Sequence, residues 1–314
     1  MTSQRGTMKL SQRDRERLEY ALGSTPVNVM KSLFGPGSLT WEVNREAVLL
    51  AGGGCALLLQ VAHPLVAAGV AEHSNFRERP LDRLYRTLDL MLTITFAPAA
   101  QAVRAVREIE RRHAPVRGYL AEAAGPFVRG TPYRASDPAL LFWVHATLVH
   151  TAAQVFEMFV RPLTAAELAR YYDESKVIAR LFGVAESDIP PTWRRFQDYF
   201  ERMVKGEELA VSEQSRAIAR AILWPERPLW LRGVMPPARL LSIGLLPEPV
   251  RARYGFRWPA WQEHAFRALV AAGQLALPWV PRSLRDFPHA REGQERERQP
   301  SPLGTLQRSK SVAA

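Results

Sequence analysis

The sequence predicts an all-α protein, most simply a single multi-helix domain within a chain of 314 residues. Sustained alternation of apolar and polar residues is missing, and the sequence contains neither an Asn-Gly nor an Asp-Gly hairpin turn. Apolar residues instead recur at helical spacing, often directly behind a residue suited to cap a helix. Apolar residues make up 47% of the chain, which excludes a wholly disordered protein and allows a sizeable core.

The most apolar stretch runs from Trp41 to Ala71 and includes three consecutive glycines at 52–54. About 20 apolar residues can cross a bilayer, so residues 47–71 could form either a core helix or a membrane span. The His63-Pro64 pair interrupts the run, and charged residues flank it at both ends. We therefore interpret the stretch as a buried core helix that proline bends or divides.

The other helices are predicted from periodicity and from their caps. Asp137-Pro138 combines an N-cap with proline at the first helical position, and the segment from Thr164 to Glu167 forms a capping box. The predicted helices span Pro80–Phe96, Ala99–Arg112, 138 to just before Pro162, 164 to near Gly183, 192–204, 208–223, 236–245 and 259–275. The expected organisation is a polar N-terminal segment at 1–20, a helical domain at 21–289 and a disordered tail at 290–314.

The positive charge of the chain is diffuse. The net charge is +11, with 42 Lys and Arg against 31 Asp and Glu. No block of five basic residues occurs, so the sequence does not favour nucleic-acid binding. The first 20 residues lack the apolar core of a secretory signal, which predicts a cytoplasmic protein or one at the periphery of a membrane.

The chain has one cysteine, Cys55, which excludes an intrachain disulfide framework and a cluster of thiolate ligands. No charged neighbour in the sequence would lower its pKa, so we expect an inert thiol. The sequence has no nucleophile elbow, phosphate-binding loop or dinucleotide fingerprint. Several common enzyme classes are thus not supported.

Histidines are the main candidates for ligands, and five of the seven lie in the most apolar part of the chain. The seven are His63, His73, His113, His145, His150, His264 and His289. Five residues separate His145 from His150, which places them roughly 140° apart around a helix and makes shared chelation difficult. No His-Glu-x-x-His motif occurs, so the spacing does not support a non-haem metal site.

His113, in the run HAPVRG, closes an amphipathic helix. It has two interpretations: a histidine favoured by the negative end of the helix dipole, or a single axial ligand for a haem. His63 and His73 also have two interpretations, because each could be a packing residue or a ligand. The sequence of these segments does not separate the alternatives.

A second candidate group is formed by Arg83, Arg86 and Thr87. Arg83 and Thr87 are four residues apart and share one face of the predicted helix. A cation and a hydroxyl at the edge of an apolar cavity could bind a haem propionate or polarise dioxygen. The alternative is a solvated face on which an arginine pairs with Asp82 or Glu78.

Four segments together resemble a known family: the run from 35 to 76 (GPGSLTWEVNREAVLL to AEHSNF), RPLDRLYRTLDLMLTITFA, EIERRHAPVRG and DPALLFWVHATLVHT. The chain resembles the domain shared by rubber oxygenases (latex-clearing proteins) and the fungal mycophenolic-acid pathway oxygenase, over roughly residues 34–288. The resemblance implies a globin-like fold that holds one b-type haem, with His113 as the ligand of the iron. Arg83 and Thr87 match distal residues of the family. Arg86 replaces the family's lysine, and since arginine stays protonated it cannot coordinate iron.

The same resemblance implies an oxygenase that uses dioxygen and an apolar, unsaturated, isoprenoid-like substrate, with oxidative cleavage of a double bond as the family precedent. The expected catalytic residues are Arg83, Arg86 and Thr87, and the expected haem contacts are His113, Arg83, His63 and His73. Glu72 is the nearest candidate for a catalytic acid. Two alternatives stay open: a haem protein with peroxidase-like or other oxidase activity, and a cofactor-free, membrane-associated helical binding protein.

Overall fold

Helices form nearly all of the regular structure in residues 10–23, 28–73, 80–225 and 231–298, the parts of the chain that the computed structural model describes. The α-helices are α1 (Gln12–Leu22), α2 (Leu39–Asn44), α3 (Gly53–Ala62), α4 (Pro64–His73), α5 (Pro80–Phe96), α6 (Ala99–His113), α7 (Pro138–Phe159), α8 (Ala165–Leu181), α9 (Trp193–Lys205), α10 (Glu213–Leu223), α11 (Leu231–Gly244), α12 (Glu248–Arg253), α13 (Ala260–Ala276), α14 (Arg282–Arg285) and α15 (Pro288–Arg298). Short 3-10 turns cover Ala47–Gly52, Glu186–Asp188 and Leu277–Trp279. The all-α prediction is confirmed.

The longest helix, α7, lies in the largest hydrophobic core. Asp137 caps it as predicted, accepting a hydrogen bond from the backbone N–H of Ala139 at 2.9 Å. Trp143 and Phe156 are fully buried among residues of α3, α8 and α9. In the described residues, α7 is the one helix long and apolar enough by itself to cross a membrane, and 61% of its most apolar window is buried.

The apolar stretch at 47–71 is divided at the His63-Pro64 pair. α3 ends at Ala62, α4 begins at Pro64, and the two parts are bent by 103°. Cys55, Leu58 and Leu59 are fully buried in the same core as α7. This packing supports the interpretation of the stretch as core.

The three glycines explain how closely α3 approaches its neighbours. A Cβ atom on Gly52 would lie 2.6 Å from Thr151 Cγ2 and 2.7 Å from Val155 Cγ2, both on α7. A Cβ atom on Gly54 would overlap the side chain of Ser242 on α11. Gly53, between them, has nothing within 4 Å of such an atom. The glycines therefore permit helix packing on two sides, as small residues do in tight cores.

Helices near both ends of the described residues pack on the rest of the domain. In the N-terminal segment, α1 is closed by a capping box and fully buries Leu18 and Ala21. The expectation of disorder from residue 290 is wrong over 290–298, because these residues belong to α15, which buries Ala290. Arg296 and Glu297 hold this helix by hydrogen bonds to Phe96 O at 2.6 Å and from Ser32 Oγ at 2.7 Å. Residues 299–314 lie outside the described residues.

The sequence did not predict the two short strands. Strand β1 (Arg117–Tyr119) pairs antiparallel with β2 (Pro132–Arg134), and Gly118 lies opposite Tyr133. Strands of three residues are too short to show alternation. The starts of two helices also differ: α10 begins at 213, where Ser212 forms a capping box, and α11 contains Pro236 and Pro237 instead of starting with them.

Candidate functional site

His113, the predicted haem ligand, lies at the end of a helix face that is buried along most of its length. Ala102, Val106, Ile109 and His113 follow one another at helical spacing on α6. Ala102 and Val106 are fully buried, whereas Ile109 and His113 are half-buried. The imidazole is therefore positioned where the buried face of α6 reaches the end of the helix.

Helix α5 brings a second stripe of residues to the same end. α5 and α6 are joined by Ala97 and Pro98 alone and pack against each other, as in an antiparallel helical hairpin. The last turn of α6 is thus level with the first turn of α5. Along one stripe of α5, Ile94 is fully buried, Leu90 is half-buried and Thr87 is exposed. Thr87 and His113 both belong to the open end of the hairpin.

The three predicted residues of α5 all lie in its first half. Arg83 is one turn before Thr87, and its side chain is outside the described part of the structure. Arg86 and Thr87 are exposed, so they stand at an open edge instead of lining an enclosed cavity. The alternative partners, Asp82 and Glu78, also have no described side chains.

His73 and a tyrosine that the sequence did not single out lie near this end. His73 Nε2 is 3.2 Å from the backbone oxygen of Arg117, four residues beyond His113, and donates to it in the tautomer that carries a proton there. The rings of His73 and Tyr133 are 6.4 Å apart. Tyr133 Oη donates to Glu72 Oε2 at 2.5 Å. Burial and the Glu72 carboxylate raise the pKa of Tyr133, so its hydroxyl stays protonated.

Two glycines allow close packing around strand β1. A Cβ atom on Gly118 would come 2.6 Å from Tyr133 Oη, and one on Gly69 of α4 would come 3.2 Å from Val116 Cγ1. The segment from Val116 to Gly118 therefore passes directly beside α4 and the ring of Tyr133 on β2. The sequence alone does not reveal the contact between Glu72 and Tyr133, because 61 residues separate them.

His63, also predicted as a cofactor contact, is in a different place. It lies before the first residue of α4, so about 15 Å of helix separates it from His73. Its ring is buried at 5.1 Å from Phe127, and Nδ1 has no hydrogen-bond partner among the described residues. Burial lowers the pKa of His63 to about 4, against a smaller opposing effect of Asp137. His63 and His73 therefore lie at opposite ends of α4.

The two histidines of α7 are packing residues. His150 stacks on Phe200 with ring centroids 3.8 Å apart, and His145 is buried beside Phe142. Burial lowers the pKa of each to about 4. The two rings therefore have separate aromatic neighbours.

The buried histidines predict acid sensitivity. His63 and His145 stay neutral in the folded protein down to about pH 4, whereas in the unfolded chain they take up protons near pH 6.5. The free energy of unfolding should therefore fall as the pH drops from about 6.5 to 4, by up to roughly 3 kcal/mol per histidine. Urea denaturation of wild type and His145→Asn across this range checks the slope, with exposed His264→Asn as control. An unchanged slope in His145→Asn would contradict the assignment.

The single thiol is buried, which agrees with the prediction from the sequence that it is unreactive. Cys55 is fully buried, and burial raises its pKa to about 12 despite a hydrogen bond with Thr151. We expect no reaction with a thiol reagent under native conditions at pH 8 and one equivalent in denaturant. Rapid native labelling, followed by absorbance, would show that the α3 core opens.

His113 is the candidate ligand at the open end of the α5–α6 hairpin. Within the described residues, no group of three or more His, Cys, Asp or Glu side chains converges on one point. A haem needs only one strong protein ligand, and histidine commonly supplies it. His113, with Arg86 and Thr87 at the same end, fits that requirement in residue type and placement.

Comparisons with known proteins place this arrangement in context. A family model described as "ER-bound oxygenase mpaB/B'/Rubber oxygenase, catalytic domain" matches residues 41–275. The chain is 26% identical over 234 residues to "Uncharacterized protein Mb2261" of Mycobacterium bovis, covering 72% of this chain and 87% of the relative. The same figures hold for "Uncharacterized protein Rv2237" of Mycobacterium tuberculosis. No solved structure matches the chain significantly.

Proposed function

The chain belongs to the family of mpaB and rubber oxygenase catalytic domains, and we propose that it is a b-type haem-dependent oxygenase. Its substrate is an apolar, unsaturated, isoprenoid-like molecule, which it cleaves oxidatively at a double bond. The observation that carries the proposal is the position of His113. The imidazole of His113 ends the buried face of α6, level with the first turn of α5.

We assign a separate role to each residue at this end of the α5–α6 hairpin. His113 holds the cofactor, which when bound supplies the iron that activates dioxygen. We assign hydrogen-bond donation to Thr87 at the same edge and to Arg83, one turn before it in the sequence of α5, and the permanent positive charge of Arg86 is suited to a propionate.

Glu72 and Tyr133 form a fixed pair beside this edge. The hydroxyl of Tyr133 donates to the Glu72 carboxylate and so orients it next to His73. An oriented carboxylate can accept and return a proton during the reaction. In the proposal Tyr133 is a positioning residue, and Glu72 is the proton-transferring group.

The proposed reaction balances without an external reductant. One dioxygen molecule adds to one carbon–carbon double bond. The C=C and O–O bonds break, and two carbonyl groups form, each of which takes one oxygen atom. The alkene carbons are oxidised and dioxygen is reduced by the same electrons, so both oxygen atoms end in the cleaved products.

Oxygen uptake tests this function. Purified protein is given a polyisoprenoid or a prenylated compound in an oxygen electrode, and the products are analysed for carbonyl groups with ¹⁸O₂ as oxidant. Uptake with one labelled oxygen in each cleavage product supports the proposal. Peroxide-dependent dye oxidation without oxygen uptake would support the peroxidase-like alternative instead.

A further inference from the structure

Large apolar side chains are exposed together where α13 ends and the chain continues into α14. Leu275 is 75% exposed, Trp279 87% and Leu284 73%, and Leu50 is also exposed. The 3-10 turn with Trp279 packs on α13, and α14 packs on the 3-10 turn that carries Leu50. We call these four residues the apolar crest.

The apolar crest lies at the end of α13, a helix that the hydrophobic core covers on one side. None of the residues of α13 is fully buried, although the helix is rich in alanine, leucine and phenylalanine. One side of it contacts the core, where Gly273 meets Phe159 and Phe266 meets Gly244. The other side and the turn after it face solvent. Contiguous exposed apolar surface of this kind marks a binding face.

The exposed charge around the crest is mainly basic. Each of the three arginines in residues 264–285 has a carboxylate partner: Arg267 pairs with Glu263, Arg282 with Asp286 and Arg285 with the buried Glu46. The side chain of Arg282 is 60% exposed, whereas that of its carboxylate neighbour Asp286 is 10% exposed. The crest therefore presents apolar side chains together with an exposed guanidinium.

This combination fits the surface of an anionic membrane. Tryptophan prefers the boundary between lipid headgroups and acyl chains, leucines enter the apolar layer, and arginine reaches the phosphates. A second copy of the chain fits less well, because a two-fold contact through the crest would bring the Arg282 side chains together. We propose that the apolar crest docks the protein peripherally on an anionic lipid surface.

The proposal does not depend on haem or on the identity of the reaction, and it is tested by vesicle flotation. The full-length protein is mixed with vesicles of phosphatidylcholine alone or with 30% phosphatidylglycerol. The variants are Trp279→Ser, Leu275→Ser and Arg282→Glu. The matched control is Trp261→Ser: Trp261 is exposed on the same helix but lies about 21 Å from Leu275, next to Glu263 on its acidic first turn.

The wild type should float with the phosphatidylglycerol vesicles and much less with phosphatidylcholine alone. Trp279→Ser and Leu275→Ser should each weaken the partition coefficient about tenfold, because each loses the burial of one large apolar side chain. Arg282→Glu should remove the preference for phosphatidylglycerol, and Trp261→Ser should bind like wild type. Because the substituted residues are exposed, circular dichroism should show unchanged folding.

Three results would overturn the proposal. The first is no flotation of the wild type with either vesicle. The second is equal weakening by Trp261→Ser and Trp279→Ser. The third is a lipid-free dimer, seen by sedimentation, that Trp279→Ser converts to monomer, because the crest would then bind a second copy.

Discussion

Replacing His113 with alanine should abolish haem binding, so that the purified variant lacks the Soret absorption band of the wild type. The reason is that His113 ends the partly buried face of α6 and is the proposed ligand, and haem iron depends on such a ligand for retention. The companion variant His113→Gly should recover the band when free imidazole is added. That rescue separates loss of a ligand from loss of folding.

Three other histidines provide controls for this result. His63→Ala and His264→Ala should keep the band, since His63 lies about 15 Å along α4 from His73 and His264 is exposed on α13. His73→Ala should keep the band but shift it, because His73 lies against the segment that follows His113. Loss of haem in His73→Ala with retention in His113→Ala would transfer the ligand role to His73.

Gly52→Ala should lower the free energy of unfolding by about 1–3 kcal/mol, the usual cost of overpacking a core. The new methyl group would meet Thr151 and Val155 at 2.6 and 2.7 Å. Both neighbours are β-branched, which restricts χ1 within α7, so neither can easily turn away from the new methyl group. Urea denaturation followed by circular dichroism measures the change.

Gly53→Ala is the matched control for this substitution. It places the same methyl group on the adjacent residue, where nothing lies within 4 Å. Because alanine restricts the unfolded chain and favours the helix, Gly53→Ala should be neutral or stabilise by up to about 1 kcal/mol. Equal destabilisation by both variants would contradict the assignment of Gly52 to a helix contact.

Sequence signals predicted the long helices because local chemistry decides their ends. The Pro80–Phe96 helix and the Asp137-Pro138 start were predicted correctly, as was the division at His63. The error at 290–298 has a different origin. α15 is stabilised by Ala290 and a few hydrogen bonds to distant segments, and a polar sequence gives no sign of partners contributed by the fold.

Some residues of the candidate site could likewise be predicted from the sequence, and others could not. His113 could be singled out because it follows an amphipathic helix and lies in a recognisable run. Tyr133 could not, because its role depends on a hydrogen bond with Glu72, 61 residues earlier in the chain. The apolar crest could not be predicted either, since α14, which carries Leu284, packs on the 3-10 turn that carries Leu50 only in the folded chain.

The absorption spectrum of the purified protein, with a pyridine haemochrome assay, tests the central claim most directly. Protein expressed with a supply of haem should show a Soret band and the haemochrome of one b-type haem per chain. A folded protein that stays colourless, and remains so after titration with haemin, would contradict the claim that His113 and its neighbours form a haem site.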